Sequence, residues 1–109
     1  MNKTVSLEDA KRILADASPE QCFWVNNGSI IKNLSEMSDA LAGMKDEIFS
    51  HHVNKEKNDF GNWVRDVIKD DELANDIASV RSREKILKKV QSRLKKLEIK
   101  TRKKRSTAP

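Results

Sequence analysis

Glycine, proline and cysteine are all scarce in this sequence of 109 residues, which contains three glycines, two prolines and one cysteine. So few turn-forming residues favour long helices over a many-stranded sheet. The single cysteine, Cys22, excludes an internal disulfide. We therefore expect a reducing cytosolic compartment and a small buried thiol, with a redox or metal role for Cys22 as the minor alternative.

Long apolar runs and catalytic motifs are missing as well. No run approaches the ~20 apolar residues that span a bilayer, and the segment MNKTVSLEDAKR has no apolar stretch long enough for a signal peptide. The sequence has no P-loop, nucleophile elbow, glycine-rich dinucleotide loop or Ser/His/Asp order. We therefore predict a soluble, cytoplasmic protein that is not an enzyme and needs no cofactor.

Charge divides the chain into two parts. Residues 1–80 contain nine Lys and Arg against 15 Asp and Glu, a net charge of −6, whereas residues 81–109 contain 13 against two, a net charge of +11. Asymmetry of this kind predicts a polyanionic partner for the basic part.

One short β-hairpin is predicted, over about residues 22–33. The apolar runs CFWV and SIIK flank Asn26-Asn27-Gly28, and Asn-Gly tolerates the positive φ angles of a tight hairpin turn. Because a two-stranded hairpin is marginal alone, some of its apolar side chains must pack on helices.

The rest of the chain is predicted to be helical, which makes the fold class mainly α. Apolar residues at helical spacing follow capping candidates at each helix start. These candidates are Ser6, Ser35, Asp46, Asn58 or Asp59, Asp70 or Asp71, and Ser82. The first helix is expected over about residues 7–17, because Ser18-Pro19 ends it.

The sixth helix is the longest and carries a narrow apolar stripe, which consists of Ile86, Val90, Leu94 and Leu97. We expect the stripe to dock on the body or on a second copy of the helix. The predicted organisation is a compact acidic helical domain over residues 1–81, a basic amphipathic helix over 82–101 and a disordered basic tail over 102–109.

The region of residues 20–80 resembles a small domain family of unknown function found in archaea and some bacteria. The similarity consists of an aromatic strand with an N/D-G turn, a Leu-x-Glu-Met/Leu helix, and a Phe-x-x-His-Val-Asn … Asn-Asp-Phe-x-x-Trp-Ile/Val-x-Asp-Val block. The matching positions are Phe23, Gly28, Leu34, Phe49, His52, Val53, Asn54, Asn58, Asp59, Phe60, Trp63, Val64, Asp66 and Val67. The resemblance implies a shared scaffold, brings no activity and does not cover the basic extension.

His51, His52, Asn58 and Asp59 form the one metal-like cluster. Adjacent histidines on a helix point about 100° apart, and zinc sites prefer other spacings. We therefore expect no metal site, with His52 packed near a helix start capped by Asn58-Asp59 and His51 near the surface.

Three further side chains carry expectations of their own. Asn54 is expected to close the preceding helix or to order the Lys55-Glu56-Lys57 loop. Trp63 is expected in the core because it lies in an apolar helical stripe. Trp24 alternates with Phe23 in a strand, so one of these two rings faces the core and the other faces outward.

The basic C-terminal segment carries the functional prediction. Its like charges repel one another unless a polyanion relieves them, and nucleic-acid phosphate does so without sequence readout. We predict a non-enzymatic, sequence-tolerant, nucleoid- or chromatin-type nucleic-acid binder that favours double-stranded DNA over RNA. The predicted contact residues are Lys85, Lys88, Lys89, Arg93, Lys95, Lys96, Lys100, Arg102, Lys103, Lys104 and Arg105.

Several alternatives remain open from sequence alone. The apolar stripe could serve a protein partner or a homodimer, and the same charges suit RNA or a ribosome. Binding to a membrane surface ranks lower, because the stripe has no aromatic residue to insert. The basic helix could also fold back on the acidic body until a partner releases it.

Overall fold

A computed structural model describes residues 5–26 and 28–102, apart from the side chain of Arg102. Within these ranges it forms six α-helices and one two-stranded antiparallel hairpin, which confirms the predicted fold class. The elements in chain order are α1 (Leu7–Leu14), β1 (Phe23–Trp24), β2 (Ile30–Ile31), α2 (Leu34–Gly43), α3 (Asp46–His52), α4 (Asp59–Trp63), α5 (Asp71–Ile77) and α6 (Arg83–Arg102). A 3₁₀ turn precedes β1, and a π-helical turn over Val64–Ile68 continues α4.

Side-chain caps start four helices at predicted positions, and each is worth about 1 kcal/mol. Where two candidates were adjacent, the first of them is the cap. The capping bonds are Asp9 N–H to Ser6 Oγ (3.0 Å), Gly61 N–H to Asn58 Oδ1 (2.9 Å), Leu73 N–H to Asp70 Oδ1 (3.2 Å) and Lys85 N–H to Ser82 Oγ (3.3 Å).

Three helix starts or ends differ from the prediction. Helix α1 ends at Leu14, three residues early, because the backbone of Ala15 is already extended. Helix α2 is capped by Asn33 and not by Ser35: Asn33 Oδ1 accepts from Glu36 N–H at 2.8 Å, and the Glu36 carboxylate accepts from Lys32 N–H at 3.0 Å. Asp46 is the first residue of α3 rather than its cap.

The hairpin pairs Phe23 with Ile31 and Trp24 with Ile30. Its turn is closed by two backbone bonds of 2.8 Å, from Val25 N–H to the Ser29 carbonyl and from Gly28 N–H to the Val25 carbonyl. Gly28 has a φ angle of 96°, which L side chains rarely adopt.

Helix α6 closes the hydrophobic core by packing on α1, α2 and α5. The side chains of Ile86, Val90, Leu94 and Leu97 are all buried there. Of the two docking partners predicted for this stripe, the structure therefore shows the body. The boundary predicted at residue 81 divides the chain by charge, whereas α6 belongs to the same core as the preceding helices.

A buried ion pair joins the start of α5 to the middle of α6. Arg93 donates from Nε to Asp70 Oδ2 at 2.7 Å and from Nη2 to Asp70 Oδ1 at 2.9 Å. Asp70 is only 2% exposed and Arg93 only 9%. Bidentate geometry of this kind compensates two charges that would be costly to bury separately.

The sequence predicts a buried thiol, but the side chain of Cys22 is only half-buried. Its Sγ lies 3.5 Å from the carbonyl oxygen of Ser18, at the end of the 3₁₀ turn.

Substitution Asp70→Asn should destabilise the protein by about 3–5 kcal/mol, because it leaves the buried Arg93 guanidinium only the half-exposed Glu72 carboxylate, 3.5 Å away, as a counter-charge. Asparagine keeps a side-chain oxygen that caps α5, so the loss reports the ion pair rather than the cap. The measurement is urea unfolding followed by circular dichroism.

The matched control is Asp71→Asn, which removes an exposed carboxylate one residue further along the same helix. Its cost should stay below about 1 kcal/mol, the value of a charge near a helix dipole. Equal, small losses for the two variants would show that the pair contributes little.

Candidate nucleic-acid interface

Three arginines form hydrogen bonds within the fold, and two of them, Arg83 and Arg93, belong to the basic part of the chain. Arg12 donates to the carbonyls of Ile68 and Lys69, at 3.1 and 3.3 Å, where the π-helical turn ends. Arg83 donates to the carbonyl of Leu41 at 2.6 Å near the end of α2. Both guanidinium groups thus satisfy orphan carbonyls at helix C-termini.

Arg93 is the third of these arginines, and it was predicted to contact nucleic acid. The structure corrects this prediction, because its guanidinium is buried against Asp70 and lies 3.5 Å from Glu72 Oε1. A phosphate could reach Arg93 only by breaking the ion pair. Arg93 lies seven residues after Ile86 and four before Leu97, so helical spacing places it on the apolar stripe, but sequence alone does not show which carboxylate pairs with it.

The lysines of α6 behave differently. We call Lys85, Lys88, Lys89, Lys95 and Lys96 the lysine face, because all five side chains are exposed on the side of α6 opposite the apolar stripe. They extend over 11 residue steps, or about 16 Å of helix. The structure therefore groups five of the predicted contact residues on one surface.

The lysine face has an internal order. Lys88 and Lys95, seven residues apart, form one row along the helix, and Lys89 and Lys96 form a second. Lys85, Ser92 and Ile99, also at intervals of seven residues, lie between the two rows and are exposed, with Ile99 at 53%. The midline of the face thus carries a charge only at Lys85, and its two edges are cationic.

None of the five lysines forms an ion pair within the residues that the structure describes. The acidic residues of α6, Glu84 and Glu98, flank the face on the side of the Lys88 row. The face consequently presents a net positive field that the protein itself does not neutralise.

The remaining predicted contact residues lie at the end of α6 or beyond it. The side chain of Lys100 is half-buried. Lys103, Lys104 and Arg105 lie outside the described residues, as does the side chain of Arg102, so the predicted disordered tail stays a prediction.

The pair of Arg65 and Asp66 lies away from the lysine face. The Asp66 carboxylate accepts a hydrogen bond from Arg65 Nε at 3.0 Å, and this bond together with the charge attraction raises the pKa of Arg65. Arginine is charged at physiological pH without this help, so the pair adds no pH switch to the surface.

The two tryptophans take different positions. Trp63 is buried as predicted, stacks edge-on against Phe23 at a centroid distance of 6.0 Å and donates from Nε1 to the Gln21 carbonyl at 2.8 Å. Phe23 is the strand residue that faces the core, and Trp24 is 66% exposed. Trp24 and its cross-strand partner Ile30 form an apolar patch on the hairpin.

His52 lies in a closed network beside the start of α4. Its Nε2 accepts from Asn26 N–H at 3.0 Å, which leaves the proton on Nδ1 to donate to Asp59 Oδ2 at 3.0 Å. With both ring nitrogens engaged, His52 has none free for a metal or for proton transfer. This arrangement confirms the predicted contact with the helix start, and His51 is exposed as predicted.

The two predicted asparagine roles are confirmed. Asn54 donates to the Ser50 carbonyl at the end of α3 and accepts from Glu56 N–H in the loop, at 3.2 and 2.9 Å. Asn58 caps α4 and also donates to the Ile77 carbonyl at 2.8 Å, which ties α4 to the end of α5.

A polar cavity of about 320 Å³ lies where the α3–α4 loop meets the segment before α6. Its lining includes Lys55, Asn62, Ser79 and Arg81. Sequence reasoning assigned none of these residues to a site. They are up to 26 positions apart, and no spacing motif connects them.

Two absences hold within the described part of the chain. It has no group of three or more His, Cys, Asp or Glu side chains arranged to hold a metal ion. It also has no helix with the length and apolar character needed to cross a membrane.

Comparison of the chain with family models, curated proteins and solved structures finds no match. The resemblance to the archaeal and bacterial family therefore stays a prediction. Most of the residues that carry it are buried, among them Leu34, Phe49, Phe60 and Trp63. Buried residues of this kind maintain the scaffold, whereas a binding function depends on the exposed surface.

Substitution His52→Ala should destabilise the protein by about 2–4 kcal/mol, because it strands the Asn26 N–H and opens a cavity beside Phe60. The adjacent control His51→Ala removes an exposed ring and should cost about 0.5 kcal/mol or less. Thermal unfolding of the two variants makes the comparison. A loss for His51→Ala as large as that for His52→Ala would contradict this assignment.

Proposed function

We propose that this protein is a non-enzymatic, sequence-tolerant binder of double-stranded DNA and that the lysine face of α6 is its contact surface. The observation that carries the proposal is the set of five exposed lysines, on one side of one helix, without ion pairs in the described part of the chain. Solvated helix faces usually mix charges of both signs. A polyanion relieves the repulsion among these lysines by releasing its own counterions.

The shape of the lysine face favours the major groove of B-form DNA. An α-helix is about 10–12 Å across and fits a major groove about 12 Å wide. With α6 in the groove, each of the two lysine rows faces the phosphates of one strand. The midline of Lys85, Ser92 and Ile99 then faces the base edges. Ser92 and Ile99 form few specific hydrogen bonds there, in keeping with sequence tolerance.

The body supports this surface without competing for it. Helices α1, α2 and α5 hold α6 from the opposite side, through the buried stripe. Residues 1–80 have a net charge of −6 and are repelled by DNA. This division orients the protein with the lysine face toward the duplex.

Dimerisation through the apolar stripe requires the stripe to be exposed, whereas Ile86, Val90 and Leu97 are fully buried in the chain's own core. This observation disfavours the dimer alternative. RNA association uses the same charges and remains the second candidate. The two differ in helix geometry, because the major groove of A-form RNA is too deep and narrow for side chains to read.

Replacing Lys88 and Lys95 together by Gln should make the fall of log affinity with log salt less steep. The magnitude of the slope should decrease by about 2, because each phosphate contact contributes about 0.9. Fluorescence anisotropy with a labelled duplex over a salt series gives the slope. The matched control replaces Lys11 and Lys45, which are exposed on other elements, and should leave the slope nearly unchanged. Equal effects for both pairs, or affinity that ignores salt, would contradict the proposal.

Duplex DNA should bind more tightly than duplex RNA of equal length at the same salt, because only the DNA major groove admits α6. Competition of each unlabelled duplex against labelled DNA measures the preference. Equal competition by the two would show that the lysines contact phosphates without entering a groove, and stronger competition by the RNA duplex would favour the RNA alternative.

A further inference from the structure

We infer that the polar cavity before α6 binds a phosphate monoester group, at a site separate from the lysine face. The cavity has a volume of about 320 Å³, at the small end of the range for ligand pockets. Its lining is dominated by polar side chains rather than by the apolar ones of most ligand pockets, which points to a hydrophilic, charged ligand.

Two cations in the lining have no carboxylate partner within the described ranges. These are Lys55, in the α3–α4 loop, and Arg81, two residues before α6. A third, Lys57, already lies 3.1 Å from Asp59 Oδ2. Glu56 is the one carboxylate on the lining, so the cavity keeps a net positive charge.

Neutral hydrogen-bonding groups complete the site. The side chains of Asn62 and Ser79 are exposed to the cavity from α4 and from the segment after α5, and both have donors to offer. An arginine fork, an ammonium group, an amide and a hydroxyl are together the donor set that phosphate oxygens accept from.

The loop that carries Lys55 is held in place before any ligand arrives. Asn54 N–H donates to the Lys57 carbonyl at 2.9 Å, and the Asn54 side chain bonds both the end of α3 and the loop. Pre-ordering of this kind lowers the entropic cost of binding.

A phosphate monoester could come from a phosphorylated small molecule or from the 5′ end of a nucleic acid. We test these sources by ¹H–¹⁵N correlation spectra of the full chain at low salt. The probes are deoxyadenosine monophosphate, deoxyadenosine without phosphate, and one DNA duplex with either a 5′-phosphate or a 5′-hydroxyl end.

The mononucleotide should shift the backbone amides of Asn62, Ser79 and Arg81, and the nucleoside should not. Arg81→Gln and Lys55→Gln should each weaken this binding by about tenfold, the value of one hydrogen bond to a charged group. If the duplex with a 5′-phosphate shifts the same amides and the duplex with a 5′-hydroxyl does not, the source is a nucleic-acid end. Shifts with the mononucleotide only would identify a small molecule.

The inference is overturned if the mononucleotide leaves these amides unmoved, or binds the two variants as tightly as it binds the unsubstituted protein. The control Lys89→Gln should retain mononucleotide binding while it weakens duplex binding. Failure of this site is therefore distinguishable from failure of the proposed DNA interface. Both cavity variants change side chains outside the core, and their unfolding curves check that they fold.

Discussion

The bidentate contact between Asp70 and Arg93 determines how the longest helix sits on the body. One carboxylate caps α5 through Leu73 N–H and neutralises a guanidinium from α6, so two elements are fixed by a single buried group. The buried apolar side chains of α6 already restrict its movement on the body, and the bidentate geometry adds the requirement that one guanidinium meet one carboxylate. The same arrangement turns the five lysines of α6 toward solvent.

Arginine and lysine have separate roles in this chain. Arg12, Arg83 and Arg93 use their planar, multi-donor guanidinium groups to satisfy carbonyls and a carboxylate within the fold. The five lysines of the lysine face stay in water, where a compact and strongly hydrated ammonium group is most stable. A count of basic residues therefore overstates the DNA-binding surface, because part of that charge already has structural partners.

Local patterns predicted what depends on local physics. The hairpin around Gly28, the caps at Ser6, Asn58 and Asp70, and the apolar stripe of α6 all follow from residues within one or two turns of each other. The partner of Arg93 and the cavity before α6 could not be predicted. Asp70 lies 23 positions from Arg93, and the cavity joins residues 54–62 to residues 78–81. The early end of α1 and the Asn33 cap show that helix ends are decided by competing local bonds.

The most direct test of the DNA interface is to measure the chemical reactivity of each lysine with and without duplex DNA. Reductive methylation followed by mass spectrometry reports the accessibility of every ammonium group in the intact protein. We predict protection of Lys85, Lys88, Lys89, Lys95 and Lys96 by DNA, with Lys11 and Lys45 as reactive as before. Uniform protection of all lysines, or protection of the body lysines alone, would contradict the account.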